Sequence, residues 1–179
     1  KRWLLPDYNA FPDRVTAAII RHCKTLHGRV MPRIQAAVVS TLYNRWVTDR
    51  RFQRDQGPCL LCGGGQDSIE HYLRCPLTRT FARTRIGLVY AQEDAWPLLL
   101  MADTPSYLQD HWVTWVKAAL TLYCLYRTTN SLRHEQQRFT EQEALSAMTQ
   151  SLYEAVRGHP SSAALLSVPW TRQTRRRLL

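Results

Sequence analysis

Cys59-Leu-Leu-Cys62-Gly-Gly-Gly-Gln-Asp-Ser-Ile-Glu-His71-Tyr-Leu-Arg-Cys75 is the stretch around which the rest of the chain can be read. Its spacing, C-x2-C-x8-H-x3-C, sets four soft or borderline metal ligands within 17 residues. The first pair sits on a short turn. Gly63, Gly64 and Gly65 let the chain reverse without a Cβ penalty. Asp67 is expected to cap a helix, with Glu70 at N3 in capping-box register. On that helix His71 and Cys75 stand at i and i+4, so both project from one face towards the turn. This is the arrangement that a Cys3His structural Zn2+ requires.

Disulfides are the competing use of these cysteines. Pairing Cys59, Cys62 and Cys75 needs a fourth partner, either Cys23 or Cys124. The histidine in register at the fourth position favours metal. A closed set of four protein ligands leaves no open position for water, so the expected site is structural. Pro58-Cys59-Leu-Leu-Cys62 matches half of the zinc-deaminase signature, but the H-x-E half is missing. His22 and His27 are followed two residues later by Lys24 and Arg29.

Working outward, no alternating β pattern of any length and no internal repeat is found. The expected fold is all-α, a helical domain with one Cys3His zinc turn. Asp13 to about Leu26 reads as a first helix, in which His22 and Cys23 are ordinary helix residues. Pro32 to about Arg54 reads as a second, with Ile34, Val38, Leu42 and Trp46 on its apolar stripe. Arg33, Ser40, Asn44, Thr48, Arg51 and Arg54 fall on its opposite, basic face. After Pro76 a helix is expected over Leu77–Tyr90, with Phe81, Leu88 and Val89 pointing inwards. A short buried helix follows over 93–102. The longest helix is expected over Ser106–Leu132, apolar on more than half its circumference. Thr140-Glu-Gln-Glu143 is a capping box that opens the last helix, with Ala144, Met148, Leu152 and Val156 on its buried face and Gly158 and Pro160 as its stop.

Charge divides the chain. Residues 1–90 hold 15 Lys+Arg against 6 Asp+Glu, residues 91–171 hold 5 against 8, and residues 172–179 add four arginines. The expected organisation follows: basic helices with the zinc module over 1–90, a mildly acidic helical region packed on it over 91–171, and a basic tail over 172–179. A polyanion is the natural partner for such a surface. The basic residues are 21 Arg and 3 Lys, and Arg suits bidentate phosphate and base contacts. A G+C-rich genome would also raise arginine, but it would not produce the asymmetry. The candidate nucleic-acid contacts are Arg33, Arg45, Arg50, Arg51, Arg54, Arg79, Arg83, Arg175, Arg176 and Arg177.

The longest apolar run, Trp96 to Met101, is too short to span a bilayer, so no membrane partner is expected. A Cys3His site without a disulfide framework fits a reducing compartment, nuclear or cytoplasmic. The chain does not begin with Met, which reads as a fragment or processed product of something longer.

The zinc block with its flanks resembles the zinc-binding segment downstream of the reverse transcriptase domain in non-LTR (LINE-type) retrotransposon polyproteins. Cys59-Leu-Leu-Cys62, Asp67-Ser-Ile-Glu-His71 and Cys75-Pro76 carry the resemblance, with Pro32-Arg33 and Leu42-Tyr-Asn-Arg-Trp46 as a lead-in. It covers about residues 30–80. It implies a module, active or domesticated, that helps to hold template RNA or target DNA during target-primed reverse transcription, with Cys59, Cys62, His71 and Cys75 as ligands of one zinc. Polymerase activity does not carry over, since there is no Y/F-x-D-D strand. Nor does an endonuclease: Pro6-Asp7 and Pro12-Asp13 are chance-level starts, and no D/E-x-K triplet exists in the chain. The leading expectation is therefore a non-catalytic nucleic-acid-binding module. The alternative is a protein-interaction or scaffold domain that uses the helix at 106–132.

Overall fold

A computed structural model describes residues 12–49, 51–52, 57–135, 140–157, 159, 162 and 165–166. Helices account for all the regular structure among them. A single bridge pairs Pro58 with Gln66 across the turn that carries the first two cysteines.

Helix α1 spans Pro12–Thr25 and α2 spans Pro32–Leu42. Proline opens α2, where its missing N–H costs no hydrogen bond. The end of α2 corrects the expectation of a helix to Arg54. Asn44 takes the left-handed conformation at φ 52°, Arg45 N–H donates to the Ser40 carbonyl at 2.8 Å, and Asn44 N–H donates to that of Thr41 at 2.9 Å. This is a Schellman stop, with asparagine in the place more often held by glycine. Beyond it the chain turns back, and Trp46 is buried with its indole N–H donating to Thr41 Oγ1 at 3.0 Å. The broad basic face expected along 32–54 is thus not one helical face, and Thr48, expected on it, is buried.

Helix α3 spans Ile69–Arg74 and α4 spans Pro76–Phe81. A π turn over Ala82–Ile86 extends α4, and Gly87 ends it at φ 71°. The helix expected to reach Tyr90 therefore stops earlier. The residues after Gly87 are not helical, which leaves Leu88 and Tyr90 buried but Val89 exposed. Helix α5 spans Ala95–Leu99, buried as expected from 93–102. Helix α6 spans Trp112–Glu135, starting later than Ser106. Tyr107 instead serves the loop before it: its hydroxyl donates to Asp94 Oδ2 and accepts from Ala91 N–H. Helix α7 spans Glu141–Val156 and opens on the expected capping box, Thr140 with Glu143. Gly158, Pro160, the N-terminal residues 1–11 and the tail 172–179 lie outside the described residues.

Helix α6 is the central element, packed against α1, α2, α5 and α7. Val116, Ala118, Ala119, Leu120, Leu122 and Leu125 are fully buried on it. Its wide apolar circumference is thus covered by the chain's own helices. One cluster of buried apolar side chains runs from Leu26 through the cysteine turn to Val156, so both halves of the chain contribute to the same core. Among the described residues no helix is long and apolar enough to cross a membrane.

Candidate metal centre

The first two ligands are set by a tight reversal. Gly63 N–H donates to the Cys59 carbonyl at 2.9 Å, Cys59 N–H to that of Gly65 at 3.2 Å, and Asp67 N–H to that of Gly57 at 2.9 Å. Gly63 and Gly65 have φ of 68° and 67°, where an L side chain is strained. The second pair is set by α3. Its cap is Ser68, whose Oγ accepts from His71 N–H at 3.1 Å. The expected cap, Asp67, has a different task described below. His71 rises from the helix, and Cys75 lies at its C-terminal boundary, immediately before Pro76 opens α4.

The ligand atoms of Cys59, Cys62, His71 and Cys75 all lie within 4.8 Å of one another. A tetrahedral zinc with bonds of about 2.0–2.3 Å would place such atoms roughly 3.3–3.8 Å apart. Cys62 Sγ and His71 Nε2 are already at 3.3 Å. All five cysteines are free thiols, so the disulfide alternative is not the pairing adopted. Cys23 and Cys124 lie outside the cluster, Cys124 fully buried.

Three features besides the ligand set suit a cation. Backbone N–H groups of Leu61 and Cys62 point at Cys59 Sγ, and those of Leu77 and Thr78 at Cys75 Sγ, as thiolates require. The cluster also accommodates negative charge. The hydrogen bond from the Cys59 thiol lowers Cys75 to about 4, against the opposing effect of burial and with a further contribution from His71. The same hydrogen bond, with burial, pushes Cys59 up, and burial pushes Cys62 up. Finally, a Cβ on Gly65 would lie 2.2 Å from His71 Nδ1, so the imidazole occupies space that only glycine leaves open. The residues present therefore fit one tetrahedrally held metal ion.

A ring of contacts holds this turn to the helices. Asp67, buried, accepts from the Tyr72 hydroxyl at 2.6 Å, from Asp49 N–H at 2.9 Å, and from both terminal nitrogens of Arg133 on α6 at 2.7 and 2.9 Å. Trp46 packs near the rings of Tyr72 and Tyr126. Trp96 of α5 donates its indole N–H to the Glu70 carbonyl at 3.1 Å, and the Arg74 guanidinium lies 3.9 Å over its ring. Sequence reading missed the Asp67–Arg133 pair, which no local spacing announces. The signal for Gly65 was in the glycine run, without a hint that the third glycine faces the histidine.

The candidate arginines fall in separate places. Arg33 donates to the Glu154 carbonyl of α7 and lies 5.9 Å over the Tyr123 ring. Arg45 is exposed against the Tyr43 ring, and Arg51 is exposed with one guanidinium N–H donated to the Trp46 carbonyl at 3.2 Å. Arg79 and Arg83, one turn apart, share a cleft of about 280 Å³ that is also lined by Pro76, the residue after Cys75. Arg50, Arg54, Arg175, Arg176 and Arg177 lie outside the described residues.

Comparison with family models, with curated protein sequences and with solved structures gives no match for this chain.

Proposed function

We propose that Cys59, Cys62, His71 and Cys75 hold one structural Zn2+, and that the helical module built around them binds nucleic acid without catalysing a reaction. The observation that carries the metal assignment is the convergence of three sulfurs and one imidazole nitrogen within 4.8 Å, with backbone N–H groups aimed at two of the sulfurs. Three cysteines and a histidine suit zinc, and four protein ligands make it a crosslink with no open position. The ion would then tie the reversal at 59–65 to the end of α3, and through Asp67 and Trp46 to α6 and to the chain leaving α2.

The nucleic-acid reading is supported by the net charge of +10, by its concentration in residues 1–90 and the tail, and by exposed arginines such as Arg45 and Arg51 beside the metal module. The resemblance of residues 30–80 to the zinc segment of non-LTR retrotransposon polyproteins points the same way. It makes template RNA or target DNA the ligand, in the nucleus or cytoplasm.

Metal content of the purified chain, measured with RNA and DNA binding at two salt concentrations, tests both parts. One zinc per chain and binding that weakens steeply with salt are expected, because phosphate contacts release counterions. Absence of stoichiometric zinc would remove the metal assignment. Cys62→Ser should release the metal and unfold the turn, since structural zinc in small peptides is worth about 10–16 kcal/mol. Stoichiometric zinc with no binding to RNA or DNA would remove the nucleic-acid reading and keep the metal assignment.

A further inference from the structure

The cleft lined by Pro76, Arg79 and Arg83 has the makings of an anion site. Arg79 and Arg83 stand at i and i+4 across α4 and the π turn, so both side chains lie along one wall. No described carboxylate pairs with either, and the Nε of Arg79 is buried without a hydrogen-bond partner. Tyr90 also lines the cleft. That residue is only 7% exposed, and its buried hydroxyl finds no partner among the described residues. Burial pushes the Tyr90 phenol up, against the opposing effect of Arg79, so at neutral pH it is an O–H donor. A buried hydroxyl left unpaired is costly, and native structures rarely keep one without a use. Among the described residues, two cations without a carboxylate partner and one donor without a hydrogen-bond partner thus belong to residues that line the same small space. Its remaining lining is Thr80 and three apolar residues, Pro76, Leu88 and Val89, the last 57% exposed.

We propose that this cleft is a phosphate notch, in which Arg79, Arg83 and the Tyr90 hydroxyl grip one phosphodiester of a nucleic-acid strand while Pro76 and Val89 lie against the adjoining sugar. The volume of about 280 Å³ is below the roughly 300–1,000 Å³ of pockets that enclose drug-sized ligands, and suits one phosphate with its sugar. The donor set is all positive or neutral, which selects an anion. The apolar flank favours a phosphate carried on an organic backbone over a free inorganic ion. The notch rests on the nucleic-acid reading above, and it adds a fixed point of contact adjoining the last metal ligand.

The test uses the full chain loaded with zinc. Wild type, Tyr90→Phe and Arg83→Gln are titrated with a labelled single-stranded oligonucleotide at several salt concentrations. In parallel, inorganic phosphate is titrated into wild type, with the backbone amide signals of residues 76–90 followed by NMR. Tyr90→Phe should weaken oligonucleotide binding about fivefold, the effect of losing one neutral hydrogen bond. The same variant should melt higher than wild type in phosphate-free buffer, because it removes the unpaired hydroxyl. Arg83→Gln should weaken binding and lower the salt slope by about 1. Phosphate should shift the signals around Arg79, Arg83 and Tyr90. Wild type that binds the oligonucleotide while Tyr90→Phe and Arg83→Gln bind equally well overturns the notch and leaves the nucleic-acid reading standing. Phosphate shifts at the cleft with no oligonucleotide binding overturn that reading and, with it, the proposed occupant. Failure of wild type to bind either ligand overturns both.

Discussion

Arg133 of α6 meets Asp67 of the metal turn through two parallel hydrogen bonds, at 2.7 and 2.9 Å, across 66 residues of sequence. The carboxylate is 2% exposed and the guanidinium side chain 21%. Asp67 also accepts from Tyr72 and from the backbone of Asp49. One buried carboxylate thus joins the turn, α3, the segment after α2, and the central helix.

Removing Arg133 should be costly, because it leaves Asp67 buried with its main partner gone. Arg133→Ala is expected to destabilise by about 3 kcal/mol, the low end for breaking a buried pair, since Arg133 keeps part of its surface in water. Chemical denaturation of the zinc-loaded protein measures this. A loss below about 1 kcal/mol, the usual worth of a surface pair, would show that the pair does not anchor the turn.

Gly65→Ala should displace the His71 ring, since the new Cβ would meet Nδ1 at 2.2 Å and φ at 67° is already unfavourable. Metal affinity should fall by at least about tenfold, as when the supports of a ligand are disturbed. Gly64→Ala is the control: its nearest neighbour is Cys62 Sγ at 3.9 Å, and its φ is not positive. Competition with a chromophoric chelator should separate the two variants, and equal affinities would refute the role given to Gly65.

The start of α7 should be sensitive to acid. The Thr140 backbone and hydroxyl donate to Glu143 and hold its carboxyl below the usual range. A carboxyl depressed in the folded state stabilises above its unfolded value and loses that contribution as pH falls through its folded value. Glu143→Gln should therefore flatten the pH dependence of stability at pH below about 4.5, a typical glutamate value. Thr140→Ala should cost about 1 kcal/mol at neutral pH. Thermal melts across this pH range would expose an unchanged profile in Glu143→Gln, which would count against the cap.

Arg45 and Arg33 should behave differently on substitution. Arg45 is exposed and, among the described contacts, its side chain meets the Tyr43 ring alone, so Arg45→Gln should lower the salt slope of nucleic-acid binding by about 1 and leave the melting temperature unchanged. Arg33 is tied to the Glu154 carbonyl and the Tyr123 ring, so Arg33→Gln should lower the melting temperature as well. Salt-dependent binding and melting curves on the same samples check both. An unchanged slope in Arg45→Gln would remove Arg45 from the interface.

Where a local signal is strong, it was enough. The ligand spacing of Cys59, Cys62, His71 and Cys75 is a property of a short segment, and a glycine reversal followed by a capped helix brings those atoms together with little help from elsewhere. The capping box at Thr140 and the apolar run of α5 are local in the same sense. Boundaries failed where two local signals competed. Apolar spacing carried α2 past Asn44, yet the left-handed stop at that residue prevailed because it returns Trp46 to the core. Ser68 took the cap expected of Asp67, because Asp67 is drawn to Arg133 and Tyr72.

The sequence by itself therefore determined a helical chain with one Cys3His turn and a basic first half, since periodicity, caps and ligand spacing act within a few residues. Only the tertiary structure decided how that turn is anchored, which arginines are spent on internal contacts, and that Arg79, Arg83 and a buried Tyr90 share one cleft. Those outcomes depend on residues far apart in the chain meeting in a packed core, where burial sets the worth of each charge and hydroxyl by the partner it finds.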